Sequence, residues 1–321
     1  MFIHLPLPLL SSSLRILSFP PPFRFSRYST VIPTISQMSH EKSQLISQKS
    51  NGIANFRLCN VSGTVGRRNW WRFMPEIPDC MFYLFLEIQD WEHRKLFTLK
   101  EQIDHKIDFI QQELQALEVP LVVVSHSIGS FMSLEIIKRI PEKVAYFIGL
   151  YPFLAVDAES HKQAIIKKIA RSQLISSLIS ATVALLGLLP ISGSRFIAKI
   201  SLAKTWSTTA LDALCTSLLK YHTMRNVLYM AMTEFEEVPD WEFMREKRNQ
   251  IAFLYGDDDH WAPLHMHDEI VKQVPDVVVE VEKEGHTHSF CCTVAGSIWV
   301  ARHSNAKAWK SQLKEVMEDM I

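Results

Sequence analysis

The chain has 321 residues, 47% of them hydrophobic, with 34 basic and 34 acidic side chains that balance to a formal net charge of zero. That length can bury one sizeable core plus an insertion. The charge balance gives no footing for a nucleic acid or other polyanion partner. The five cysteines (Cys59, Cys80, Cys215, Cys291 and Cys292) are odd in number and lack metal-ligand spacing, which predicts free thiols in a reducing compartment and no metal site.

Residues 1–45 read as a leader outside the fold. Arg15, Arg24 and Arg27 lie among serines and prolines, and no acidic residue precedes Glu41. This composition resembles an organelle transit peptide; a read-through leader ahead of Met38 is the alternative. It is a poor secretory signal, because Pro6 and Pro8 break the apolar stretch and the charges follow it. Asn60-Val61-Ser62 therefore matches a glycosylation acceptor by chance. A first part of the core is expected over 46–150. Within it, Ile103, Ile107, Ile110, Leu114 and Leu117 form a helical stripe over Leu99 to Leu117.

The most informative segment follows. Val122-Val123-Val124 runs into Ser125-His126-Ser127-Ile128-Gly129 and then into a helical pattern. A β-branched run ending in a small-x-Ser-x-Gly corner before a helix is a nucleophile elbow, which makes Ser127 the candidate nucleophile. Gly129 and Ser125 are the small neighbours that let the corner close. The N–H of Ile128, next after the nucleophile, is the expected oxyanion donor. His126 reads as a packing or hydrogen-bonding residue, since neighbours at a corner point in different directions.

From 151 to 240 the pattern becomes wholly helical, as expected of a cap over the site. Its stretch Gln173 to Ile191 carries no charge, is interrupted by Gly187 and Pro190, and is flanked by Lys167, Lys168 and Arg171. Such a helix suits a lipid monolayer or an acyl pocket better than a full crossing; a buried cap helix is the bland alternative. The core resumes over 241–321. Ile251 to Gly256 reads as a buried strand that opens into Asp257-Asp258-Asp259, with Asp259 the best acid. Val277 to Glu282 reads as a second strand leading to His286 and His288, one of which would be the base. The order Ser, Asp, His is that of an α/β-hydrolase. Trp299 to Met320 reads as the closing amphipathic helix, and Cys291-Cys292 as helix packing.

The chain resembles the lipid droplet-associated hydrolases from about Asp90 onward, their plant branch in particular. The resemblance rests on Asp90-Trp91-Glu92-His93, Glu101 to Phe109, the Ser127 elbow, Tyr255-Gly256-x-x-Asp259-x-Trp261-x-Pro263, and His286-Thr287-His288-Ser289-Phe290. It implies an α/β-hydrolase fold and a Ser127-Asp259-His288 triad that cleaves lipid esters without a cofactor, with His286 as the alternative base. The implied location is the surface of lipid droplets or the endoplasmic reticulum, or a plastid or mitochondrion if the leader is a transit peptide.

The chain also departs from the family, which resembles a Gly-Asn-Pro-Gly turn after an early apolar strand. Gly52, Gly63 and Gly66 are the glycines ahead of the elbow, and none follows a strand-like apolar run. Early strands and the oxyanion loop are therefore expected to be missing. Loss of one oxyanion donor costs about 3 to 4 kcal/mol of transition-state stabilisation. A droplet protein that keeps the fold but has impaired turnover is the alternative function.

Overall fold

The computed structural model describes residues 57–62, 81–84, 95–113, 121–201 and 205–304. The leader and most of the closing helix lie outside the described residues. Among the described residues six parallel strands form one sheet in the order β2-β1-β3-β4-β5-β6. They are β1 Arg57–Ser62, β2 Met81–Leu84, β3 Leu121–Ser127, β4 Val144–Pro152, β5 Ile251–Gly256 and β6 Val278–Glu282. Helices α1 (Leu99–Glu113) and α2 (Ile128–Arg139) precede β4, α9 (Leu264–Gln273) joins β5 to β6, and α10 (Val294–Ser304) follows β6.

A parallel sheet is covered on both faces, so its central strands carry apolar residues on both sides. All nine residues of β4 and all six of β5 are buried. Val123, Phe147 and Phe253 face one core with α1 and α2. Val122, Ile148 and Leu254 face the other, with Phe290 and Val300. Between β4 and β5 stand α3 (His161–Arg171), α4 (Gln173–Gly187), α5 (Ile191–Ser201), α6 (Thr208–Ala213), α7 (Tyr221–Glu234) and α8 (Trp241–Glu246). Ser160, Ser172 and Ser207 cap α3, α4 and α6 by accepting backbone N–H groups.

Part of the expectation is corrected here. Early strands are present: β1 pairs in parallel with the elbow strand from Arg57↔Leu121 to Ser62↔His126, and β2 pairs with β1. Strand pairing is a long-range event that local composition does not dictate. The expected loss of the oxyanion loop falls on residues 63–80, outside the described residues. The C-terminal helix begins at Val294, five positions before the expected Trp299, with Thr293 Oγ1 accepting the Gly296 N–H at 3.1 Å.

Glu234 ends α7 buried, where the carbonyl end of the helix also disfavours negative charge. Burial pushes its carboxyl up from 4.5 to about 8. The folded state therefore holds the proton more tightly, and this contribution is complete below pH 4.5 and lost as pH rises through about 8. Glu234→Gln is expected to remove that loss, by an amount on the order of 5 kcal/mol above the folded pKa. Thermal melts at pH 5 and pH 9 check it: the gap in Tm between the two should narrow in the variant, and an equal gap contradicts it.

Candidate active site

The C-terminal ends of β3, β5 and β6 bring three side chains together. At the end of β3, Ser127 has φ 58° and ψ −129°, a strained conformation for a residue with a Cβ. The corner closes because Ser125 and Gly129 are small and buried. The Ser125 hydroxyl donates to Ser130 Oγ at 3.3 Å, and the Phe153 N–H donates to the Ser127 carbonyl at 3.1 Å. Backbone strain that surrounding bonds hold in place is a common mark of a functional site.

After β5, the three consecutive aspartates separate by burial. Asp257 and Asp258 are exposed and Asp259 is buried. One Asp259 oxygen accepts the Trp261 N–H at 2.8 Å; the other lies 2.8 Å from His288 Nδ1. His288 Nε2 lies 2.8 Å from Ser127 Oγ. With the proton on Nδ1, His288 donates to Asp259 and accepts from the serine hydroxyl, which leaves Nε2 free to take that proton. His286 is elsewhere, its ring 5.9 Å from that of Trp299. It lines a surface groove with Trp299, Arg302 and His303 that includes none of the three.

His126 Nε2–H donates to the His288 carbonyl at 2.9 Å, and the two rings lie 4.9 Å apart. Burial, with His288 nearby, holds its pKa well below the usual histidine value, so it is a neutral donor to the His288 backbone. Ile128 opens α2; the N–H groups of a helix's first turn have no partner within the helix and can serve a developing oxyanion.

Three residues that sequence reasoning passed over also shape the site. Gln163 of α3 donates to the Trp261 carbonyl at 3.0 Å, tying the helical block to the acid turn. Tyr151, next to the end of β4, donates to Glu282 at 3.0 Å. Glu280 and Glu282 alternate with valines in β6, a pattern that reads as a solvated face; in the fold Glu282 is buried.

The sheet and helices are those of other α/β-hydrolases. The peroxisomal α/β-hydrolase Lpx1 of Saccharomyces cerevisiae matches with a TM-score of 0.55 and 12% identity, over 80% of this chain and 78% of that one. A hydrolase from Oleispira antarctica matches with a TM-score of 0.52 and 14% identity, over 79% and 92%. At such identities these likenesses show the fold alone.

In sequence, the chain is similar to the lipid droplet-associated hydrolase of Dictyostelium discoideum, 23% identical over 288 residues that take in 78% of this chain and 86% of that protein. The Gallus gallus protein of the same description is 28% identical over 211 residues, 63% of this chain and 64% of its own length. The Mus musculus protein is 24% identical, over 61% of this chain and 60% of its own. The chain thus spans less than two thirds of these vertebrate relatives. The profile described as lipid-droplet associated hydrolase matches residues 80–291, and the chain belongs to that family of hydrolases.

Proposed function

We propose that this chain is a serine ester hydrolase that cleaves lipid esters, carboxylic or sterol, at the surface of lipid droplets. The observation that carries the reading is the unbroken hydrogen-bond chain from Ser127 through His288 to Asp259. Ser127 Oγ attacks the ester carbonyl as His288 takes its proton. The tetrahedral oxyanion is held by the Ile128 N–H. As it collapses, His288 returns the proton to the departing alcohol and leaves an acyl-serine. Water, activated by the same histidine, attacks the acyl carbon and releases the fatty acid. Asp259 keeps the imidazole in the productive tautomer and offsets its transient charge.

The lipid part of the reading rests on an exposed apolar surface. Leu174, Leu178 and Leu185 of α4, Leu188 after it, and Phe196 and Ile200 of α5 are all exposed, Leu188 by 80%. So many large apolar side chains exposed on two consecutive helices mark a contact with a partner or a membrane. The opposite side of the pair packs inward through Val183 and Ala198 onto Leu214, Val227 and Leu228. Among the described residues no single helix is long and apolar enough to cross a membrane, and α3 and α4 meet at 97°. A monolayer fits this shape, because it is entered from one side only.

The basic flank contributes less than its composition implied. Lys167 donates to the Phe235 carbonyl and Arg171 pairs with Glu236. Apolar burial is the main term, about 1.5 to 3 kcal/mol for each large side chain taken fully out of water.

The helical block over 151–240 acts in this reading as a cap that brings lipid to the triad. Leu174→Ser, Leu178→Ser and Leu185→Ser combined should abolish flotation with lipid droplets and leave hydrolysis of a short soluble ester within about twofold. Undiminished flotation would exclude this surface as the anchor. Side-by-side rates on emulsified lipid esters and on a soluble ester test the substrate class. Preference for the soluble ester contradicts it.

A further inference from the structure

The loop that carries the base has little backbone pairing of its own. Between the end of β6 at Glu282 and His288, residues 283–285 and Thr287 are exposed, and Gly285 adopts φ 76°. The Thr287 carbonyl accepts the Phe290 N–H at 2.8 Å and closes the far side. On the near side a side chain takes the place of a strand partner. The Glu282 carboxylate accepts the backbone N–H of Glu284 on one oxygen and that of His286 on the other, the latter at 3.1 Å. The Tyr151 hydroxyl donates to the same carboxylate at 3.0 Å and lies 3.3 Å from the His286 carbonyl.

We propose that Glu282 and Tyr151 form a positioning pair for the base: they hold the His286–His288 loop so that His288 reaches Ser127 and Asp259 together. The inference rests on the triad reading above. The glutamate is 0% exposed. A carboxylate so deeply buried is costly unless donors surround it, and an apolar side chain at a strand end would be the simpler way to stabilise a core. Three converging donors instead give it a defined geometry.

Tyr151 adds a second, independent sign. Its φ of 48° is a left-handed conformation that an aromatic residue resists, and one that persists only where its surroundings demand it. The ring packs against Phe290 at 4.8 Å and meets His288 edge-on at 6.3 Å. It also lies so close to the end of β5 that a Cβ on Gly256 would come within 2.3 Å of Tyr151 Cε1. One phenol therefore links the ends of β4, β5 and β6. The Asp257 N–H, at the head of the acid turn, closes the same junction on the Glu282 carbonyl at 3.0 Å. Proton transfer is sensitive to such placement, and a displacement of about 1 Å can lower a rate about 100-fold.

The test compares the full chain with its Glu282→Gln and Tyr151→Phe variants. It measures kcat and KM on a soluble ester, Tm, labelling of Ser127 by a fluorophosphonate, and the low-field proton resonance of the His288–Asp259 bond. Glu282→Gln replaces one acceptor oxygen by a donor and should lower kcat about 100-fold with KM within twofold. Tyr151→Phe removes one donor of three and should lower kcat about 10-fold while the protein stays folded, which keeps the test decisive if Glu282→Gln does not fold. Both variants should weaken the low-field resonance. A folded variant with the parent's kcat overturns the pairing, as does a kcat loss that leaves the resonance unchanged. A parent that labels at Ser127 beside variants that label equally fast overturns this inference alone. A parent unreactive at Ser127 overturns the triad reading and this inference with it.

Discussion

Ser127→Ala is expected to lower kcat for ester hydrolysis by about 10⁵ to 10⁶, because the substitution removes the covalent route. What remains is the background that oxyanion contacts and substrate binding supply on their own. The fold should tolerate the change. Alanine keeps the Cβ at the strained corner, and the bonds that close the elbow come from Ser125, Phe153 and the backbone of Ser127 itself. KM and Tm should therefore stay near the parent values. A variant that turns over at the parent's rate would place the nucleophile elsewhere.

Asp259→Asn tests the next link and should cost about 10⁴ in kcat. The aspartate has no idle oxygen: one accepts from Trp261 and the other faces His288 Nδ1. An amide can offer its oxygen to only one of these positions. Kept on the Trp261 N–H, it presents an NH₂ group to His288 and favours the tautomer with the proton on Nε2, which cannot accept from Ser127. Turned the other way, it leaves the Trp261 N–H facing a second donor in a buried turn. Steady-state kinetics separate the cases: a tautomer fault lowers kcat at constant KM, whereas a collapsed turn lowers Tm as well.

The site was legible where chemistry coincides with strand ends. The elbow announces itself through Ser125, Ser127 and Gly129, and the proposed acid and base, Asp259 and His288, each follow an apolar run by a few residues. Sequence alone left His286 and His288 open, since both follow β6 closely. Geometry separates them by their neighbours, Trp299 for one and Asp259 with Ser127 for the other. The early strands were not legible. Arg57-Leu58-Cys59-Asn60-Val61-Ser62 has three apolar residues in six, and its strand character comes from pairing along β3. Glu282 was hidden for a related reason: alternation in β6 describes two faces, and nothing local reveals that a tyrosine from another strand arrives to bury one carboxylate.

That correction bears on activity. The expectation of impaired turnover had two grounds, a missing strand and a missing oxyanion loop. The first no longer stands, since β1 pairs with the elbow strand as far as Ser62 opposite His126. The second concerns residues 63–80, outside the described residues. Among the described residues the Ile128 N–H is the oxyanion donor that the reading uses, and the hydrogen bonds from Ser127 through His288 to Asp259 are in place.

The most direct measurement is therefore of the nucleophile itself. The full chain is treated with a fluorophosphonate, which phosphonylates only an activated serine, and the modified residue is located by mass spectrometry beside Ser127→Ala and Asp259→Asn. The account predicts modification at Ser127 in the parent, none at that position in Ser127→Ala, and a strongly slowed reaction in Asp259→Asn. A folded parent that remains unmodified, or that is modified at another serine, contradicts it, and silence favours a droplet protein that has kept the hydrolase fold without its turnover.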